Sequence, residues 1–213
     1  MIVSPTGLAG LALIALGMVC TPGPNMVYLL SRSILQGRLA GAISLAGVVL
    51  GLLCYMLASA IGLTALMLAV PLAYEAVKLA GAGYLLWMAW NSVRPGAGSP
   101  LRPRRDLRPD RPRKLFAMGF LTALLNPKIA IFYVSLLPQF IDPERGHVLA
   151  QSVVLGATQV AISFTVNLMI VLAAGGISAW FAARPTWLQV QRWVMGSLLA
   201  GFAVRLAFDK RPV

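Results

Sequence analysis

The chain has 213 residues, 59% of them hydrophobic and only 11% charged, with a mean hydropathy of +0.80. Soluble domains run at about 45–50% apolar and about 25% charged, so this composition excludes an ordinary soluble domain and points to an all-α polytopic membrane protein. The net charge of +12 is no sign of nucleic-acid binding: the basic residues lie mainly between the apolar runs, where they set orientation.

A bilayer core of about 30 Å takes roughly 20 residues of helix, and on that measure the sequence divides into six apolar segments. The first covers 5–30 and is interrupted at Pro22–Pro24. No Lys or Arg precedes Arg32, so the start reads as a retained helix rather than a secretory signal, which needs a positive n-region. The second covers 40–68 and ends before Pro71. Within it, Gly47 and Gly51 form a G-x-x-x-G pair, which predicts close helix packing within a protomer or across a homodimer. Tyr55 is a candidate cavity residue. The third covers 73–93 and closes at Arg94-Pro95; Trp87 and Trp90 near its end suit an interfacial belt. Glu75 has Lys78 three residues on as a partner.

Residues 94–114 form a flexible polar linker with seven arginines and one lysine. The positive-inside rule makes it cytoplasmic, and it can also touch anionic lipid headgroups. The fourth segment covers 115–138, interrupted at Asn126-Pro127, with Tyr133 another candidate cavity residue. The fifth covers 148–175 and runs out at Gly175-Gly176; the sixth covers 187–208. Asn167, in the fifth, can bond a neighbouring helix or a substrate. Arg32, Arg38 and Arg184 fall on the linker's side and Asp142, Glu144 and Arg145 on the other, which puts both termini outside. A five-span arrangement with one re-entrant segment would move one end.

The linker separates three spans (1–93) from three spans (115–213). An odd-numbered unit, once duplicated, inserts upside down, the inverted-repeat plan of many transporters. The two halves share one oddity, a first span broken by proline beside asparagine. Proline removes a backbone donor and clashes with the preceding turn, and irregular backbone persists at membrane depth only against protein or a wet cavity. The half-helix starting near Asn25 presents free N–H groups and a positive dipole end. In the fourth span Asn126 caps, Pro127 takes the first helical position, and Lys128 adds a cation. Pro22, Gly23, Pro24, Asn25, Asn126, Pro127 and Lys128, with Tyr55 and Asn167, are thus the candidate site for a carboxylate.

The blocks P-G-P-N-M-V-Y-L-L-S-R-S-I-L-Q-G-R-L-A-G (22–41), K-L-A-G-A-G-Y-L-L-W-M-A-W (78–90) and F-L-T-A-L-L-N-P-K-I-A-I-F-Y-V-S-L-L-P-Q-F (120–140) resemble the lysine-exporter (LysE/RhtB) family. The resemblance implies a multi-pass protein of the bacterial inner membrane that exports amino acids, coupled to the proton gradient. It also implies that Pro22, Gly23, Pro24, Asn126, Pro127 and Lys128 matter for transport. Members resembling the basic amino-acid exporters carry an aspartate in the second span, where this chain reads G-V-V-L-G-L-L-C-Y-M-L (47–57). A buried cationic side chain needs a countercharge, so a neutral substrate of homoserine, threonine or branched-chain type is expected over a basic one.

Two other classes compete. An intramembrane enzyme needs a nucleophile or an acid–base pair in a span, and the spans hold no paired carboxylates and no histidine. A non-transporting membrane subunit is the other. Cys20 and Cys54 read as buried apolar residues rather than a disulfide. Two cysteines and one histidine make no zinc set, so neither a metal nor a cofactor is expected.

Overall fold

The computed structural model describes residues 2–21, 23–69 and 110–174, with isolated positions between 79 and 94 and between 190 and 208. Most of the expected third and sixth spans, the linker up to residue 109, Pro22, the Glu75–Lys78 pair and Gly175-Gly176 lie outside the described residues. What is described is helical. Helix α1 spans Pro5–Cys20, α2 Pro24–Ala69, α3 Pro112–Leu124, α4 Pro127–Ile131 and α5 Val148–Leu172. Between α4 and α5 the chain passes through a π-helical turn, Phe132–Leu136, and two 3₁₀ turns, Leu137–Phe140 and Pro143–Arg145.

Each boundary has a local cause. Ser4 caps α1, its hydroxyl accepting from the Gly7 amide at 3.1 Å, with Pro5 in the first turn. The proline-glycine-proline run stops α1 at Cys20, and α2 restarts on Pro24. At 46 residues α2 is far longer than one crossing needs. Gly37 divides it with φ 87° and ψ 168°, a conformation that needs glycine. The expected first span is therefore α1 plus the front of α2, and the second begins after Gly37.

Among the described residues, Pro24–Gly62 and Val148–Leu172 are long and apolar enough to cross a membrane. Residues 112–124 and 128–140, bent by 49°, make a third candidate. The described part thus supports a helical membrane fold, of which the six-span inverted repeat is one arrangement.

Helix α2 packs on α3 and α5, and α1 packs on α5 and the 3₁₀ turn before Ile141. Leu11, Leu29, Leu52, Tyr133, Leu137 and Leu155 fill the core. Leu13, Leu39, Ile61 and Met169 remain exposed, as suits side chains that meet lipid. The G-x-x-x-G pair serves α2–α3 contact inside the chain. A Cβ on Gly47 would lie 2.0 Å from the Phe116 carbonyl oxygen, and one on Gly119 2.1 Å from that of Ser44. Packing this close leaves the pair with no call on a homodimer.

The two ends of the bundle carry different polar clusters. At one, the Asp110 carboxylate takes Arg32 and Lys114 as ion pairs and accepts from Gln36, whose Oε1 accepts the Asp110 amide at 2.8 Å. Arg32 also lies 5.4 Å from the Tyr28 ring centre. The Tyr28 hydroxyl donates to the Leu115 carbonyl at 2.8 Å. The end of the supposedly flexible linker is thus held: Asp110 is tied to α2, and Pro112–Lys114 already belong to α3. At the other end Asp142 pairs with Arg145, and Gln151 Nε2 donates to the carbonyls of Asp142 and Gly146. Phe140 reaches Gly10 of α1 there. Arg32 is thus grouped with the end of the linker, and α1 with the segment that leads to Arg145. His147 is exposed, in the left-handed region just before α5.

Two measurements test the packing. Gly47→Val is expected to cost at least about 2 kcal/mol through overpacking, read as a lower melting temperature in detergent. Gly62→Val, where a Cβ meets nothing within 4 Å, leaves it nearly unchanged. The Lys114 hydrogen bond, then Gln36 and the charge of Arg32, hold the Asp110 carboxyl below its ordinary range. A depressed folded value stabilises fully above the ordinary carboxylate range, and the contribution is lost as pH falls through the folded value. Asp110→Asn is expected to flatten that acid-side loss of melting temperature.

Candidate functional site

Both helix breaks strand backbone groups, and the structure shows where each finds a partner. Pro22 and Pro24 have no N–H, so the carbonyls of Met18 and Cys20 lose the donors a continuous helix would supply. The Thr21 amide turns back onto Gly17 and Met18. Part of the remaining demand is met from the other half of the chain. Lys128 Nζ donates to the Met18 carbonyl at 2.7 Å and to the Thr21 carbonyl at 2.8 Å. An ammonium on the C-terminal end of a helix also meets the negative end of its dipole. Lys128 is 9% exposed, and a Cβ on Gly23 would lie 3.0 Å from its Nζ. Glycine at 23 therefore leaves room for the lysine head.

The second break is satisfied in the same manner. Asn126 caps α4, its Oδ1 accepting from the Lys128 amide at 3.1 Å. That amide would otherwise have bonded the Leu124 carbonyl, which instead accepts the Tyr55 hydroxyl at 2.7 Å. In the π-helical turn Ser59 donates to the Tyr133 carbonyl at 3.1 Å. The two breaks then meet: Asn126 Nδ2 donates to Asn25 Oδ1 at 3.2 Å.

This fixes which way the amides point. A backbone N–H only donates, so Asn126 presents Oδ1 to Lys128 and Nδ2 to Asn25. Asn25 therefore answers with Oδ1, and its Nδ2 is left over. Among the described residues the surplus on this wall is all donors: Asn25 Nδ2, the second proton of Asn126 Nδ2, and the third proton of Lys128. The first turn of α2 adds the amides of Asn25 and Met26, which lie ahead of its first bond, Val27 to Gly23 at 3.0 Å.

A cavity of about 40 Å³ lies against these groups. Its lining includes Gly23, Asn25, Asn126 and Lys128 with apolar Met18, Leu52 and Phe132, and Gln159, Ser163 and Asn167 of α5. That volume holds about three waters, too little for an amino acid. Of the expected residues, Gly23, Asn25, Asn126, Lys128 and Asn167 come together around it. Pro24 starts α2 at an exposed position outside the lining, and Pro127 starts α4. Tyr55 does not line the cavity; it stacks on Tyr133, ring centres 5.8 Å apart, and caps Leu124. Tyr133 does not line the cavity either; it is fully buried, and its hydroxyl donates to Gln159 Oε1 at 2.7 Å. No disulfide joins Cys20 and Cys54. Gln159 and Ser163 were not foreseen, although their spacing of four from each other and from Asn167 marks one polar stripe on a helix face.

Comparison with known proteins adds a family. The description LysE type translocator fits residues 16–210. The chain is 29% identical over 198 residues to an uncharacterized membrane protein of Pseudomonas aeruginosa, covering 89% of both. It is 28% identical over 200 residues to a leucine efflux protein of an Enterobacter species, covering 89% of this chain and 90% of that one. A leucine efflux protein of Salmonella typhimurium is 28% identical over 193 residues, 91% of each. No solved structure matches.

The capping roles predict separable effects. Tyr55→Phe leaves the Leu124 carbonyl without its donor at a buried break and is expected to cost about 1–3 kcal/mol. Thermal unfolding of the purified protein measures it. Tyr28→Phe, which loses a bond at the outer end of the bundle, is expected to cost less.

Proposed function

The chain belongs to the LysE-type translocator family, and on that premise we propose that it is a secondary-active exporter of neutral amino acids across the bacterial inner membrane. The observation that carries this reading is the pair of helix breaks that meet through Asn126 and Asn25 and, among the described residues, leave unspent donors beside a small cavity. Such a wall suits a carboxylate: one ammonium proton, two amide groups and a helix N-terminus are available, and among the described residues no acid of the lining opposes them. The apolar lining, Met18, Leu52 and Phe132 among it, suits an aliphatic side chain. The names of the leucine efflux relatives favour a branched-chain substrate.

A neutral substrate is favoured over a basic one on electrostatic grounds. The lining already holds the Lys128 cation and, among the described residues, no carboxylate. A second buried cation would go unpaired. Transport requires the cavity to widen, and alternating access would open it first to the linker side and then to the side of Arg145. Coupling to the proton gradient completes the proposal and rests on the family resemblance alone.

Cells expressing the protein and overloaded with a leucine-containing dipeptide are expected to excrete leucine faster than cells without it. Unchanged efflux across a panel of neutral amino acids overturns the reading. Lys128→Ala and Pro24→Ala are expected to lower efflux at least about tenfold, as loss of a charged hydrogen bond or a broken turn does, with protein still present in the membrane. Full efflux from both variants removes the breaks from the site.

A further inference from the structure

We infer that the polar stripe of α5, Gln159, Ser163 and Asn167, is the wall that reads the substrate's α-ammonium, with Asn167 Oδ1 its principal acceptor. This rests on the exporter reading and adds the other end of the substrate to it. An amino acid brings a carboxylate, which needs donors, and an ammonium, which offers three donors and accepts nothing. The break wall supplies donors. Its oxygens each accept a bond already: Met18 and Thr21 carbonyls from Lys128, Asn126 Oδ1 from the Lys128 amide, and Asn25 Oδ1 from Asn126. An oxygen that accepts none is the better partner for an ammonium.

In the same lining the hydrogen bonds of α5 leave acceptors. Asn167 Nδ2 donates to the Ser163 carbonyl at 2.8 Å. A carbonyl only accepts, so the amide orientation is fixed and Oδ1 is the atom left over. Among the described residues nothing donates to it, although Asn167 is 4% exposed and lines the cavity. Gln159 is oriented as well: the Tyr133 hydroxyl donates to its Oε1, and its Nε2 donates to Ser163 Oγ at 2.8 Å. Oε1 and Oγ each keep a lone pair. Tyr133 is thus a positioning residue, since its hydroxyl determines which end of Gln159 faces which neighbour. The result is a cavity lined by surplus donors from the breaks and by acceptors from α5, matched to a zwitterion and to neither a simple carboxylate nor a simple amine.

The test separates this inference from the exporter reading. The probes are leucine and 4-methylpentanoate, the same acid without the amine, titrated calorimetrically into purified protein. Wild-type protein is expected to prefer leucine. Asn167→Leu is expected to weaken leucine about tenfold or more, the worth of a hydrogen bond to a charged group, and to change 4-methylpentanoate less than about twofold. Asn167→Asp keeps the acceptor and is expected to keep the preference, which guards against a folding defect in the leucine variant. If wild-type protein transports neutral amino acids and Asn167→Leu keeps the wild-type preference, the amine assignment is overturned alone. If wild-type protein neither transports nor binds them, the exporter reading falls, and this inference with it.

Discussion

The described structure turns on one contact, the Lys128 ammonium on the carbonyls of Met18 and Thr21. A proline-broken helix inside a membrane must satisfy its stranded carbonyls from protein, since lipid offers no donors. A lysine inside a membrane must likewise find acceptors or reach water. Each of these costs is severe alone, and here each cancels the other. The contact also joins residues 110 positions apart in sequence. The two breaks are therefore a single structure, built from both halves of the chain, and neither would be tolerated in the form seen without its counterpart.

From that contact the remaining geometry follows by exclusion. With Lys128 turned toward α1, its own amide needs a cap, which Asn126 supplies; the cap frees the Leu124 carbonyl, which Tyr55 takes up. Asn126, with its oxygen spent, meets Asn25 through its nitrogen. No step in this sequence is left to side-chain preference, because each begins at a backbone group with only one hydrogen-bonding role. Preorganisation of this kind holds the surplus donors in place before any ligand arrives.

Much of this was legible in the sequence, and the limits have physical causes. The breaks were visible because proline and glycine act locally, and the capping role of Asn126 because its partner lies two residues away. That the breaks face one another followed only from the expectation of paired halves. The role of Lys128 was read incompletely: a cation could be foreseen, but not that two of its three protons serve α1. Tyr55 was read as a cavity residue because an aromatic in a span gives no sign of which carbonyl it will reach. The Gln159–Ser163–Asn167 stripe was available at helical spacing, yet composition hid it, since three polar residues in a 25-residue helix look incidental until one face is known. The held position of Asp110 depends on Arg32 and Gln36, far off in the chain, and nothing local to the linker announces it.

The same accounting constrains the charge a substrate can carry. Lys128 is neutralised by carbonyl dipoles and not, among the described residues, by an acid. The cavity is therefore electropositive before anything binds. A zwitterion placed with its carboxylate toward Lys128 lowers that potential and brings its ammonium to the far wall, where neutral oxygens suffice because the net charge it adds is zero. A substrate with a further cation would raise the potential again, and a carboxylate would be needed to offset it. The selectivity proposed here thus derives less from a pocket fitted to one side chain than from a helix break that caps a dipole with a lysine and, among the described residues, places no acid beside it.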